Sequence, residues 1–160
     1  MIIGCTGHRP SKLNGDYEYK STLSRWIFDQ ITGILRRYEP EYLLDGGAIG
    51  VDTIAAFAAI KINIPLWLAL PCRGQDKYWR DINKYHYSIL KAKAAKIDYV
   101  HDGPYYTGCM NKRNYWMNDR TDLLISVSDG SKGGTFDCTQ DARSKGKEII
   151  TINLKELTLF

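Results

Sequence analysis

The stretch LLDGGAIGVDTIAAFAA, residues 43–59, places Gly46, Gly47 and Gly50 where an apolar segment gives way to small residues at helical spacing. This order predicts a strand, a tight turn and a helix. Two explanations are open for the glycines. Either the turn needs backbone angles that glycine adopts readily, or a ligand approaches the backbone at the positive end of the helix. The spacing matches neither the dinucleotide-binding GxGxxG pattern nor a P-loop.

A second glycine-rich junction, SDGSKGGT at residues 128–135, repeats this design further along the chain. Its glycines Gly130, Gly133 and Gly134 would expose backbone N–H groups, and Thr135 can cap the next helix or bind a phosphate oxygen. Because two such junctions occur in one chain, we expect an anionic, phosphorylated ligand.

Predicted strands and helices alternate along the whole sequence. Apolar residues three and four apart indicate amphipathic helices, and the continuous apolar run IPLWLALP is typical of a strand that is buried on both faces. Alternation of this kind predicts the α/β class, with one domain over residues 1–160 and an open, mainly parallel sheet carrying helices on both faces. The predicted strands are 1–5, 41–45, 64–71, 97–102, 122–128 and 148–152, and the predicted helices are 21–38, one through Ala55–Ala59, 78–95, 109–120 and 135–146.

Composition narrows the functional classes. The 160 residues are 44% hydrophobic and 25% charged with a net charge of +4, which suits a phosphorylated ligand but not a duplex-DNA binder. No apolar run is long enough to span a membrane, and the N-terminal MIIGCTGHRP lacks the features of a signal peptide, so we expect a cytoplasmic location. The four scattered cysteines form no CxxC pair, so we expect reduced thiols and no metal site.

Ligands of open parallel sheets bind beyond the carboxyl ends of the strands. Five segments follow predicted strands, and most carry glycine together with a charged or hydrogen-bonding residue. We expect them to converge at one edge of the sheet. They are TGHRP (6–10), DGGAIGVD (45–52), PCRGQDKYW (71–79), DGPYYTG (102–108) and SDGSKGGT (128–135).

The pairing of GGAIGVDTIAA (46–56) with GSKGGTFDCTQDA (130–142) resembles the SLOG superfamily, a Rossmann-like group that includes DprA and the LOG nucleotide hydrolases. The order of motifs is most similar to the YpsA-like branch. The resemblance implies a Rossmann-like fold that binds nucleotides or nucleotide-derived ligands. The matching positions are Thr6 and Gly7 with Pro10, then Gly47 to Asp52, Pro71 to Trp79, and Asn111 to Met117.

The segment MNKRNYWM, residues 110–117, is similar to the MxxRK helix of the LOG enzymes, whose arginine takes part in cleaving an N-glycosidic bond; Arg113 matches it. Those enzymes also carry a glutamate three residues beyond the threonine of a GGxGT turn. In this sequence Cys138 occupies the position of that glutamate, and Asp137 lies one residue before it. Glycosidic cleavage needs a nearby carboxylate, which a thiol does not replace at neutral pH. Asp137 and Asp52 are the possible substitutes.

Three functions are therefore open. The first is a protein that binds a nucleotide-type ligand as a sensor, sponge or regulatory module, which the missing glutamate favours over catalysis. The second is a nucleoside 5′-monophosphate phosphoribohydrolase, with Arg113 and Asp137 as its catalytic residues. The third, single-stranded DNA binding in the manner of DprA, is disfavoured by the small net charge, so we do not expect a nucleic-acid partner.

The expected partners are a small nucleotide-type ligand and further copies of the chain, because proteins of this superfamily often form dimers; no cofactor, metal or membrane is expected. The expected ligand-binding residues come from all the strand-end segments except DGPYYTG, and from the 110–117 helix. They are Thr6, Gly7, His8, Arg9, Gly46, Gly47, Ala48, Gly50, Val51, Asp52, Pro71, Arg73, Gln75, Trp79, Arg113, Asn114, Ser128, Gly130, Gly133, Gly134 and Thr135.

Overall fold

The computed structural model describes residues 1–157, which form a six-stranded, all-parallel sheet with five α-helices. The strand order across the sheet is β4-β3-β2-β1-β5-β6. The predicted α/β class and parallel sheet are confirmed. The elements are β1 Ile2–Gly7, α1 Thr22–Tyr38, β2 Tyr42–Asp45, α2 Val51–Lys61, β3 Leu66–Leu70, α3 Asp81–Lys93, β4 Lys96–Tyr99, α4 Cys109–Arg120, β5 Leu123–Ser128, α5 Gly134–Ser144 and β6 Glu148–Asn153.

The sheet separates the helices into two layers. Helices α1, α2 and α3 pack together on one face, whereas α4 and α5 pack together on the other. The chain builds the sheet outward from β1 to β4 and then returns to place β5 on the other side of β1. Such a reversal opens a crevice at the carboxyl ends of β1 and β5, where open α/β sheets bind their ligands.

The larger core lies between the sheet and the α1–α3 layer. Ile3, Leu43, Leu68 and Ile125 point from four adjacent strands into this core and are fully buried. The smaller core lies under α4 and α5, where residues one position along the strands, such as Leu44, pack on Met117 and its neighbours. Both faces of the strands are therefore apolar, as expected for a parallel sheet.

Local signals set the helix ends. Ser21 accepts a hydrogen bond from the Ser24 amide at the start of α1, and Glu39 in the left-handed conformation ends that helix one residue before Pro40. The amide of Ser21 is held in turn by Asp16, and this and other hydrogen bonds keep the pKa of Asp16 below its ordinary value despite some desolvation.

Two predicted boundaries differ from the structure by three residues, more than any other. Helix α3 begins at Asp81 rather than at residue 78, because residues 74–79 form successive turns around Gly74, whose φ is +68°. Strand β4 covers residues 96–99 and stops before His101, although the prediction continued to residue 102. The prediction ended the last helix at Gly146; α5 ends at Ser144, and Gly146 follows it with a φ of +70°.

None of the helices in residues 1–157 is both long enough and apolar enough to cross a membrane.

Candidate functional site

A cavity of about 270 Å³, the central cavity, lies at the carboxyl ends of β1 and β5. Its lining comes from the loops after β1 and β2, from α4 and from the first turn of α5. Ten of the residues predicted from the sequence meet there. They are Thr6, Gly7, His8, Arg9, Ala48, Asp52, Arg113, Asn114, Gly134 and Thr135.

Side chains of the loop after β1 form hydrogen bonds with side chains of the loop after β5. The buried His8 ring lies with Nε2 2.9 Å from the Asp129 carboxylate, and Lys12 donates from Nζ to the Ser131 hydroxyl at 2.8 Å. Hydrogen bonds from Ser131 and from His8 lower the pKa of Asp129. These charge-assisted bonds hold the β1 loop, which lines the central cavity, against the loop that leads into α5.

Most backbone N–H groups of the first glycine turn, Gly46–Val51, donate hydrogen bonds within the protein. Four amides of this turn donate to acceptors on β2, α2, the β1 loop and the segment before α1. A ligand would have to displace these bonds to use the same donors. The bonds are Gly47 N to Asp45 Oδ1 at 2.7 Å, Ala48 N to Asp52 Oδ2 at 3.2 Å, Gly50 N to the Tyr19 hydroxyl at 3.0 Å, and Val51 N to the His8 carbonyl at 3.1 Å.

The glycines of this turn also make room for neighbouring protein atoms. A Cβ at Gly46 would overlap the Arg113 guanidinium, and a Cβ at Gly50 would overlap the His8 carbonyl. Gly47 and Gly50 have φ angles of +67° and +98°. The two explanations offered for the glycines of residues 43–59 therefore both hold in part. The glycines permit the turn and allow a close approach to its backbone, but the group that approaches is a part of the protein itself.

The second glycine turn, Gly133–Thr135, leaves free space beside Gly134, whereas neighbouring protein atoms fill the space beside Gly46 in the first turn. Gly134 begins α5, and a Cβ there would find no atom within 4 Å. The residue before it, Gly133, provides no side-chain cap, so the first amides of α5 are left to solvent or to a ligand. These donors lie in the cavity wall beside Thr135, at the positive end of an eleven-residue helix.

Arg113 lines the central cavity but is itself only 3% exposed. Its Nη1 donates to the carbonyls of Gly46 and Ala69, at 2.6 and 3.2 Å, and its Nε donates to Asn114. These bonds join α4 to the ends of β2 and β3. Arg113 therefore holds the first glycine turn in place and brings a positive charge to the cavity at the same time.

Two carboxyl groups are buried behind and beside this arginine. Asp52 lines the cavity, and burial raises its pKa although Arg113 and the Ala48 amide oppose the shift. Asp45 is fully buried; burial and the neighbouring Asp52 raise its pKa well above the ordinary value. Its Oδ2 has no hydrogen-bond partner among the described residues, which fits a protonated Asp45.

Cys138, at the place of the LOG glutamate, is buried on α5 beside Asn118. Burial raises the pKa of its thiol to about 11, so the group is neutral at physiological pH. Asp137 is exposed and lies outside the cavity lining, whereas Asp52 lies within it. Of the two carboxylates considered as substitutes, the structure brings Asp52 to the site.

A second cavity of about 580 Å³, the aromatic annex, adjoins the first and shares Arg9 and Met110 with it. The predicted residues Arg73, Gln75 and Trp79 line this annex instead of the central cavity. They follow β3, which lies two strands away from β1, and this distance explains their separation from the α5 turn.

The remaining predicted residues lie apart from both cavities. Ser128 and Gly130 line a smaller groove on the β6 side of their loop, next to Phe136. The others lie behind the cavity walls or at their rim within the described part of the chain. They are Gly46, Gly47, Gly50, Val51, Pro71, Gly133 and Asp137.

Sequence reasoning missed four residues of the central cavity: Ser11, Lys12, Met110 and Asn111. Ser11 and Lys12 directly follow the TGHRP segment. Met110 and Asn111 lie within the MNKRNYWM segment, three and two residues before Arg113, and could have been selected because the first of them shares a helix face with that arginine. Among residues 1–157, no group of three His, Cys, Asp or Glu side chains is arranged to hold a metal ion.

The fold is similar to that of DNA processing proteins. DNA processing protein A from Helicobacter pylori, for which a single-stranded DNA binding mode is described, superposes with a TM-score of 0.66 at 18% identity, over 99% of this chain and 71% of that one. DprA from Streptococcus pneumoniae gives 0.64 at 14% identity, over 94% of this chain and 49% of that protein. At these identities the likeness concerns the fold alone.

Two sequence relatives come from Bacillus subtilis strain 168. The uncharacterised SPbeta prophage-derived protein YoqJ is 29% identical over 116 residues, which cover 62% of this chain and 68% of YoqJ. The UPF0398 protein YpsA is 25% identical over 143 residues, which cover 84% of this chain and 79% of YpsA. The YpsA family model, described as the YspA SLOG family, matches residues 3–159, and the chain belongs to this family.

Proposed function

We propose that the central cavity binds a nucleotide or a nucleotide-derived phosphorylated ligand, and that the protein acts as a sensor, sponge or regulatory module. The observation that carries the proposal is the open N-terminus of α5, which lines the same cavity as Arg9, Lys12 and Arg113. A helix N-terminus that faces several cations is a favourable environment for a phosphate.

The phosphate is assigned to the first amides of α5. Gly134 leaves the space in front of them free, and the Thr135 hydroxyl adds a donor at the same place. Lys12 already contacts this loop through Ser131, so its charge lies close to the proposed phosphate. This assignment uses the second glycine turn and does not require the occupied amides of the first.

Other residues of the same lining suit the sugar of a nucleotide. Asp52 and Asn114 belong to it, and carboxyl and amide groups of this kind hydrogen-bond ribose hydroxyls. Arg113 orients Asn114 through the bond from its Nε, at 2.9 Å. Groups that suit a phosphate and groups that suit a sugar therefore line one cavity.

Family membership supports a nucleotide-related role, and the DprA-like fold keeps single-stranded DNA among the ligands to be tested. The expectation that nucleic acid is no partner fits poorly with these neighbours. Short single-stranded oligonucleotides therefore belong in the same binding assays as the mononucleotides.

A thermal-shift assay with AMP, GMP, CMP and UMP tests the proposal. We expect at least one of them to raise the melting temperature, because a ligand that binds only the folded state stabilises it. In Gly134→Val a side chain would fill the space before the α5 amides, and we expect the shift to disappear. The matched control is Gly33→Val, an exposed helical glycine with open space around it.

The proposal fails if none of the four nucleotides stabilises the wild type. It also fails if Gly134→Val responds to the nucleotide as strongly as Gly33→Val does, since the ligand would then bind elsewhere.

A further inference from the structure

The aromatic annex is about twice as large as the central cavity, 580 against 270 Å³, and Arg9 and Met110 line both cavities. Small-molecule sites commonly enclose about 300–1,000 Å³. The central cavity alone lies just below this range and is proposed to hold one nucleotide unit, whereas the two cavities together lie well within it. A ligand that fills this site would therefore extend past Arg9 into the annex.

Two solvent-exposed tyrosines stand at the annex. Tyr78 comes from the loop after β3 and is 89% exposed, and Tyr105 comes from the loop after β4 and is 64% exposed. Trp79 lies between them and the core, packed edge-on against Tyr87 with ring centroids 5.2 Å apart. Exposed aromatic rings on two loops beside one cavity are the usual platform for stacking a nucleobase.

The charges around the annex favour an anionic chain leading into it. Arg9 lies at the junction of the two cavities, and Arg73 and Lys77 line the annex. Arg73 is partly engaged, since it pairs with Asp102 at 2.8 Å and stacks on Tyr99 at 3.5 Å. Arg9 is therefore the cation best placed to meet a phosphate that joins a group in one cavity to a group in the other.

Building on the proposed function, we propose that the annex binds a second nucleobase. The ligand would then contain two nucleotide units joined by phosphate, the first in the central cavity, the linking phosphate at Arg9 and the second base against Tyr105 and Tyr78. A free dinucleotide and the end of a single strand share this chemistry.

Isothermal titration tests the proposal on the full chain. The probes are the four nucleoside monophosphates, the corresponding 5′-phosphorylated dinucleotides pApA, pGpG, pCpC and pUpU, and a twelve-residue single strand of the preferred base. We expect the preferred dinucleotide to bind at least ten-fold more tightly than its mononucleotide. Tighter binding of the twelve-residue strand than of the dinucleotide identifies a nucleic-acid end as the source, and equal or weaker binding identifies a free dinucleotide.

The tyrosine variants locate the second base. Tyr105→Ala should weaken dinucleotide binding by ~5- to 150-fold while mononucleotide binding stays unchanged, because one stacking contact is lost. Tyr105→Phe should restore it. Tyr115→Ala is the matched control, since Tyr115 is also exposed but lies outside both cavities.

Mononucleotide binding without any gain from the second unit would overturn the annex proposal and leave the proposed function standing. Equal loss of mononucleotide and dinucleotide binding in Tyr105→Ala would also overturn it. If the wild type binds no mononucleotide and no dinucleotide, the proposed function itself fails.

Discussion

The two glycine turns look alike in sequence and differ in the folded protein. The turn at Gly46–Val51 is filled by the protein: Arg113 occupies the place of a side chain at Gly46, and the turn's amides serve internal acceptors. The turn at Gly133–Thr135 leaves open space at Gly134 and has no side-chain cap. The same residue type thus builds a packed joint at one junction and, at the other, an accessible helix N-terminus that we propose as the anion site.

The largest expected effect is a difference in stability between a substitution in the first turn and a substitution in the second. Gly46→Ala should lower the free energy of unfolding by about 2–4 kcal/mol, because its Cβ overlaps the buried Arg113 guanidinium. Gly134→Ala should change it by no more than about 0.5 kcal/mol, since the position is open and helical. Urea unfolding at neutral pH measures both. Equal losses would contradict the distinction between a packed and an open turn.

Arg113 and Arg9 should differ in their contribution to stability, as the two turns do. Arg113→Ala removes the donors to Gly46 and Ala69 and should destabilise the fold by about 2–4 kcal/mol as well as weaken nucleotide binding. Lysine should not rescue it, because one ammonium group does not reproduce the planar fork.

Arg9→Ala should weaken nucleotide binding about 10- to 150-fold with little loss of stability, because its exposed side chain serves the ligand and not the core. Arg36→Ala, an exposed arginine on α1, is the control for both measurements. Unchanged nucleotide affinity in Arg9→Ala would remove this residue from the proposed site.

The buried Asp45 predicts a pH dependence of stability. Its pKa is raised in the folded state, so above the ordinary carboxyl pKa the unfolded chain loses a proton that the folded chain keeps. Stability should therefore fall as pH rises through this interval, by about 1.4 kcal/mol per pH unit. Asp45→Asn should reduce this loss of stability with rising pH, since its side chain has no proton to lose. The amide oxygen can still accept the hydrogen bond from the Gly47 amide. Unfolding of both proteins from pH 4 to 8 provides the measurement, and parallel curves would contradict a protonated Asp45.

The smallest expected effect concerns catalysis. We expect no release of free base from nucleoside monophosphates, because a neutral thiol lies at the place of the LOG glutamate. Chromatography of long incubations measures it. Base release that is lost in Asp52→Asn but kept in Asp137→Asn would instead make the protein a hydrolase that uses the carboxyl group in the cavity.

The sequence predicted the fold well because its signals are local and repeated. Strand and helix periodicity predicted the six strands and five α-helices of residues 1–157, but the strand order and its reversal at β1 were not predicted. The start of α3 was predicted too early because Tyr78 and Trp79 continue the apolar spacing of the helix, although they belong to the series of turns that Gly74 starts.

The site was predicted less completely because its decisive contacts are long-range. Nothing near Gly46 in the sequence reveals that Arg113, 67 residues away, fills its side-chain space. Tyr105 was left out of the expected ligand-binding residues with the rest of DGPYYTG, since only the folded loops bring it beside Trp79 and Arg9. The expectation of a homo-oligomer stays a prediction, which light scattering at micromolar concentration can test.

A titration of the ¹⁵N-labelled protein with the stabilising mononucleotide, followed by amide NMR, would compare the two turns in a single experiment. The amides of Gly134 and Thr135 should show the largest shifts, because the phosphate binds them, while those of Gly47 and Gly50 should move little since they keep their internal acceptors. Largest shifts at Gly46–Val51, with none at the start of α5, would contradict the assignment of the ligand to the open turn.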